Sequence, residues 1–170
     1  VKVTGPKADL HSGIYGGAVA NPINILCRII SKLQDEATNK CTVTDFYKEV
    51  INLSQEERDL MAKAPFSEKD YLEVTGSPAL FGEEGFSTIE RTGIRPSFDV
   101  CGIWGGYTGE GAKTIIPSSA HAKISFRLVP DQDFNVITER VAKYIKQIAP
   151  SCINVEVTPL HGGYAYVSPL

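Results

Sequence analysis

Val1 and Val3 alternate with Lys2 and Thr4 until Gly5-Pro6 breaks the pattern, which marks the end of a strand. A glycine-rich stretch comes next, Asp9-Leu10-His11-Ser12-Gly13 with Gly16-Gly17, and reads as a loop. Asn21-Pro22 has the form of an N-cap with proline at the first helical position. Ile23, Leu26, Cys27, Ile30 and Leu33 then recur at helical spacing and predict one buried face. Near the far end Ala120, Ala122, Ile124, Phe126 and Leu128 point one way, and His121, Lys123, Ser125 and Arg127 the other, until Pro130. Phe98, Val100, Gly102 and Trp104 alternate with Asp99, Cys101 and Ile103 in a weaker version of the same strand pattern. Asp133 caps a second helix with the face Phe134, Ile137, Val141, Tyr144, Ile145 and Ile148, stopped by Pro150. Ile153, Val155 and Val157 form a last strand.

Between about 41 and 96 no apolar period is sustained. Ser54-Gln55-Glu56-Glu57 has the form of a capping box, and Ser67-Glu68-Lys69-Asp70 resembles one. Short polar helices with Gly and Pro breaks fit this stretch, so it reads as a helical insertion in one domain spanning 1–170. The order is β-α-(insertion)-β-β-α-β, which predicts an α+β, ferredoxin-like fold: a four-stranded antiparallel sheet with two helices on one face.

Composition narrows the partners. The chain has 170 residues, 42% hydrophobic and 22% charged, enough apolar material for one core. A net charge of -3 makes nucleic acid and anionic membranes poor partners. No apolar run approaches the ~20 residues that span a bilayer. Cys27, Cys41, Cys101 and Cys152 are scattered with no C-x-x-C pair, as expected of reduced thiols in an intracellular protein. The chain opens inside a strand pattern without an initiator Met, as expected of a piece of a longer polypeptide.

Gly106 to Thr114 reads G-Y-T-G-E-G-A-K-T and approaches a phosphate-binding loop. Ala112 separates Gly111 from Lys113, where that motif needs lysine directly after glycine. A helix must also start at once, and Ile115-Ile116-Pro117 does not suit one. Nucleotide binding is therefore not expected.

Three segments together carry a resemblance. They are Asp9–Gly13 with Tyr15-Gly16-Gly17, then Gly109-Glu110-Gly111-Ala112-Lys113-Thr114-Ile115-Ile116-Pro117, then Phe126-Arg127-Leu128-Val129-Pro130. In that order they resemble the dimerisation (lid) domain of M20-family metallopeptidases, most like the cytosolic dipeptidase and carnosinase-like branch. His161-Gly162-Gly163 fits the same branch. The resemblance implies a two-domain parent hydrolysing short peptides. Its catalytic domain would hold two zinc (or manganese) ions and a glutamate general base, with none bound by this segment. The segment itself would join a second copy as a homodimer, close over a short-peptide substrate and be inactive alone. Neither nucleic acid nor membrane is an implied partner, and a cytoplasmic location is expected.

By the resemblance, His11 reaches the active site of the other subunit. An imidazole there donates to the oxygen that becomes negative as a peptide carbonyl turns tetrahedral. Read by residue type alone, it is a loop histidine bonded to local backbone. Arg127 lies on the polar face of the best strand, and its planar fork suits a carboxylate. The resemblance gives it the free C-terminal carboxylate of the peptide; the plain alternative is a surface salt bridge worth about 0–1 kcal/mol. Thr114 could hold the same substrate end or bond its own turn. Lys113 has no assigned role, His121 reads as a solvated strand residue, and His161 as a loop residue facing solvent or substrate. Tyr107 and Trp104 read as packing or interface residues. A rival reading is a free-standing ferredoxin-like module that binds a small effector or a protein and catalyses nothing. A family relative with altered chemistry, such as a deacylase, is a third.

Overall fold

A computed structural model describes residues 1–167. The elements in chain order are β1 (Lys2–Thr4), β2 (Leu10–His11), α1 (Ser12–Tyr15), α2 (Pro22–Ser31), α3 (Gln55–Met61), α4 (Glu68–Thr75), α5 (Thr88–Gly93), β3 (Ser97–Gly105), β4 (Ile115–Ile116), β5 (Ser119–Arg127), α6 (Phe134–Ile148) and β6 (Asn154–Glu156). β3, β5, β1 and β6 form a four-stranded sheet in that spatial order, every pair antiparallel. The two long helices and the four strands therefore make the ferredoxin-like arrangement that the hydrophobic pattern predicts. β2 and β4 pair separately as a two-stranded ribbon.

The core lies between one sheet face and helices α2 and α6. Val3, Ala120 and Ala122 of the sheet meet Leu26, Ile29 and Leu33 from the α2 side and Ile137, Val141 and Ile145 from α6, all buried. Asn21 caps α2 by accepting from Ile23 N at 2.9 Å, with Pro22 in the first turn. Asp133 caps α6 through Asn135 N at 2.7 Å. The buried stripe of α2 is rotated from the expected one. Ile25, Leu26 and Ile29 face the core, Ile23 and Ile30 lie at its margin, and Cys27 is exposed. Both stripes have helical spacing, so periodicity alone does not choose between two overlapping apolar faces.

The β3 alternation also departs from expectation. A bulge between Val100 and Gly102 inserts an extra residue opposite β5. Phe98 and Val100 share the helix side with Phe126 and Ile124, but past the bulge Ile103 takes that side beside Ala122. Trp104 is thrown onto the helix-free face, where it stacks on His121 with ring centroids 5.1 Å apart. That face carries His121, Lys123, Ser125 and Arg127 along β5, as their alternation predicts.

The segment from Cys41 to Val50 packs with the core. Cys41, Val43 and Phe46 belong to the core cluster, and the Phe46 ring packs tilted against Phe126 with centroids 5.5 Å apart. Gln132, buried, fixes this segment by donating to the Phe46 carbonyl at 2.7 Å. The short helices α3 to α5 come after it. Capping boxes start α3 at Ser54 and α5 at Ser87, and Ser67 caps α4 through Asp70 N. One ion pair brackets α5 and another ties it to α3. Arg95 grips buried Glu83 with two bonds of 2.8 Å and lies 4.3 Å over the Phe86 ring. Arg58 of α3 reaches Glu90 of α5. No helix among the described residues is long and apolar enough to cross a membrane.

Candidate functional site

The glycine-rich stretch near the N-terminus is more ordered than a loop. His11 ends β2, pairs across to Ile115 and caps the single helical turn α1. Three bonds bind this turn and the chain leading into it to the segment ahead of β5. Ser12 N donates to the Thr114 carbonyl at 3.0 Å, Asp9 accepts from Ser118 N at 2.8 Å, and Gly5 N donates to the Ser118 carbonyl at 2.9 Å. Gly16 N closes the turn on the Ser12 carbonyl at 2.8 Å, and a side chain at 16 would collide with that carbonyl.

The ribbon brings His11 and Thr114 together from positions 103 residues apart. His11 Nδ1 accepts from Gly13 N at 3.0 Å, and Nε2 lies 3.4 Å from Thr114 Oγ1. Both side chains are exposed. The local-backbone bond anticipated for a loop histidine is thus present, and it leaves the other ring nitrogen beside the Thr114 hydroxyl. A groove of about 540 Å³ runs beside the turn, lined in part by Ser12, Gly16, Asn24, Arg28, Ile115 and Cys152.

Arg127 is not part of this cluster. It is exposed at the last residue of the nine-residue strand β5, opposite Ser97. The ribbon attaches at the other end of β5, beyond Ser119, about 26 Å of extended strand away. Among the described residues no acid lies within ion-pairing distance of Arg127. The surface salt bridge open to it on residue type is absent there.

The remaining candidates have local partners. Tyr107 donates to the Glu110 carbonyl at 2.9 Å, and Lys113 Nζ sits 5.6 Å over the Tyr107 ring, so the glycine loop is folded on itself. That loop leads into the strand Ile115–Ile116 and not into a helix. His121, half-buried, has its Nε2 3.3 Å from Ser119 Oγ and its ring against Trp104. His161 is exposed beside the start of α6, near Phe134 and Glu139. The four cysteines are free thiols; burial pushes Cys41 up to about 11. Among the described residues no three His, Cys, Asp or Glu converge as a metal-ligand set would.

Four antiparallel strands with two long helices packed on one face, and His11, Thr114 and Arg127 all exposed, define a ferredoxin-like class of domain. Comparison with known proteins names that class. The family described as the peptidase dimerisation domain matches residues 1–151. The chain belongs to this M20 dimerisation-domain family. It is 32% identical over 171 residues to the Cys-Gly metallodipeptidase of Saccharomyces cerevisiae, covering 98% of this chain and 35% of that protein. It is 25% identical over 148 residues to the human Beta-Ala-His dipeptidase, covering 87% and 29%. Among solved structures, an M20 family metallo-carboxypeptidase from Sulfolobus solfataricus superposes with a TM-score of 0.74 at 34% identity, over 86% of this chain and 39% of that one. The chain spans about a third of the length of the curated relatives it matches.

Proposed function

We propose that this chain is the lid and dimerisation domain of a dipeptidase-like M20 hydrolase, and that it serves two active sites at once. The two zinc (or manganese) ions would be held by a catalytic domain outside this chain. What this chain supplies is hydrogen bonding. His11 and Thr114 of one copy would reach into the active site of the other, with His11 donating to the developing oxyanion and Thr114 to the substrate carboxylate. Arg127 would clamp that same carboxylate from the catalytic domain's own lid.

The observation that carries this reading is the separation within one chain. Arg127 and the His11–Thr114 pair lie at opposite ends of a strand of about 26 Å, far more than a dipeptide spans. If Arg127 and Thr114 hold one carboxylate, they come from different copies. A two-fold dimer provides that, because each lid then gives one end to its own site and the other end to its partner's. The nine-residue edge strand β3 is the longer open edge of the sheet and the proposed place for the two copies to pair.

The test uses the full-length parent. His11→Ala should lower turnover by about 100-fold or more, the loss seen when one oxyanion donor is removed, with metal content unchanged. Arg127→Ala should weaken hydrolysis of a dipeptide and leave its C-terminal amide almost unaffected. Normal turnover in the first, or equal effects on both substrates in the second, removes that residue from the account.

A further inference from the structure

We infer that Gly13 is a positioning residue for His11: its backbone N–H fixes the neutral imidazole with the proton on Nε2 and the ring turned toward Thr114. The inference rests on the proposed donor role of His11 for its functional meaning, but the tautomer is a separate physical claim.

The geometry allows one neutral form. Gly13 N donates to Nδ1 at 3.0 Å, so Nδ1 carries a lone pair there and the proton sits on Nε2. That nitrogen faces Thr114 Oγ1 at 3.4 Å. With Nε2–H directed at Oγ1, the threonine hydroxyl turns its own proton outward. Gly13 N–H, the imidazole and the Thr114 hydroxyl then form one directional chain, each bond polarising the next. A ligand oxygen arriving between Nε2 and Oγ1 can accept from both the Nε2–H and the threonine hydroxyl.

Glycine at 13 leaves the space into which the imidazole folds back. Gly13 is not among the residues with positive φ, so its backbone suits any side chain. A Cβ there would lie 2.8 Å from His11 Cε1 and 3.1 Å from Nδ1, inside contact distance of the folded-back ring. Any larger residue pushes the imidazole off the turn and breaks the bond that selects its tautomer. The three-residue run His11-Ser12-Gly13 thus encodes a polarity as well as a turn.

The experiment is long-range proton–nitrogen NMR of the imidazoles in this ¹⁵N-labelled chain, at a pH where they are neutral. The His11 signals are assigned by their loss in His11→Gln. The wild type should show His11 Nδ1 unprotonated and Nε2 protonated. Gly13→Ala should give a mixture of tautomers while backbone amides away from the turn keep their positions. In the full-length enzyme Gly13→Ala should lower kcat by about 10- to 100-fold with KM nearly unmoved, the mark of a misplaced donor. A wild-type His11 protonated on Nδ1 overturns the inference, whether or not the variant folds. So does Gly13→Ala with an unchanged tautomer, or with a shifted tautomer and wild-type kcat. If the wild-type tautomer is as stated but His11→Gln keeps full turnover, the donor role falls and the tautomer assignment stands.

Discussion

Replacing Glu90 by Gln should erase a specific part of the acid sensitivity of this fold. The Glu90 carboxylate is 4% exposed and accepts from the Arg58 guanidinium, from Ser87 N at 2.6 Å and from Ser87 Oγ at 2.8 Å. The Arg58 bond, aided by Ser87 and opposed by burial, holds its pKa at about 2, down from 4.5. In the unfolded chain this group takes up its proton below 4.5; in the folded chain it does so only near 2. Between those values the unfolded state binds more protons, so stability rises with pH through the window. The contribution is complete above 4.5 and lost as pH falls to about 2. At ~1.36 kcal/mol per pKa unit, it is on the order of 3 kcal/mol. Urea unfolding followed by circular dichroism, on wild type and Glu90→Gln across this pH range, measures it. The wild type should be more stable by up to about 3 kcal/mol near neutrality, with the gap closing toward the acid end. A gap that stays constant with pH would refute the reasoning.

Two further outcomes come from burial. Arg95→Ala strips the buried Glu83 carboxylate of its two 2.8 Å bonds, leaving Lys40 Nζ at 3.8 Å, and should cost about 3 kcal/mol in chemical denaturation, the low end for a broken buried pair. Replacing Arg95 and Glu83 together with Met and Gln should cost clearly less, because no buried charge is then stranded. Iodoacetamide applied to the native chain and read by mass spectrometry should modify exposed Cys27, Cys101 and Cys152. Cys41, buried and with its thiol pushed up to about 11, should react only after unfolding.

The strands and long helices were legible because their buried faces repeat at strand or helix spacing and their ends carry caps. Asn21, Ser54 and Asp133 each do what their type and position predict. Ser87-Thr88-Ile89-Glu90 has the same capping-box form and was equally readable, yet without a periodic segment behind it the motif did not stand out. The bulge at Cys101 leaves no mark in the β3 alternation, because only pairing with β5 reveals the extra residue. The turn Ser12–Tyr15 is too short to show a period. Glu83 and Arg95 lie outside regular elements on either side of α5, and His11 meets Thr114 only because two-residue strands pair a hundred positions apart. At the candidate site residue type and motif context pointed to His11, Thr114 and Arg127. They did not divide the three into two groups, because that division is a property of the sheet: which end of β5 each residue occupies.

The division is also what a mixed dimer tests. His11→Ala and Arg127→Ala full-length chains, each nearly inactive as a homodimer, are combined, exchanged and assayed on a dipeptide. In the mixed dimer one site receives intact Arg127 from its own lid and intact His11 from the partner, while the other site loses both. With random exchange of equal amounts, half the dimers are mixed and each has one working site, so activity should recover to about a quarter of wild type. If the mixture stays as inactive as its two components, His11 and Arg127 serve the same site from the same chain, and the account of a lid shared between two active sites is wrong.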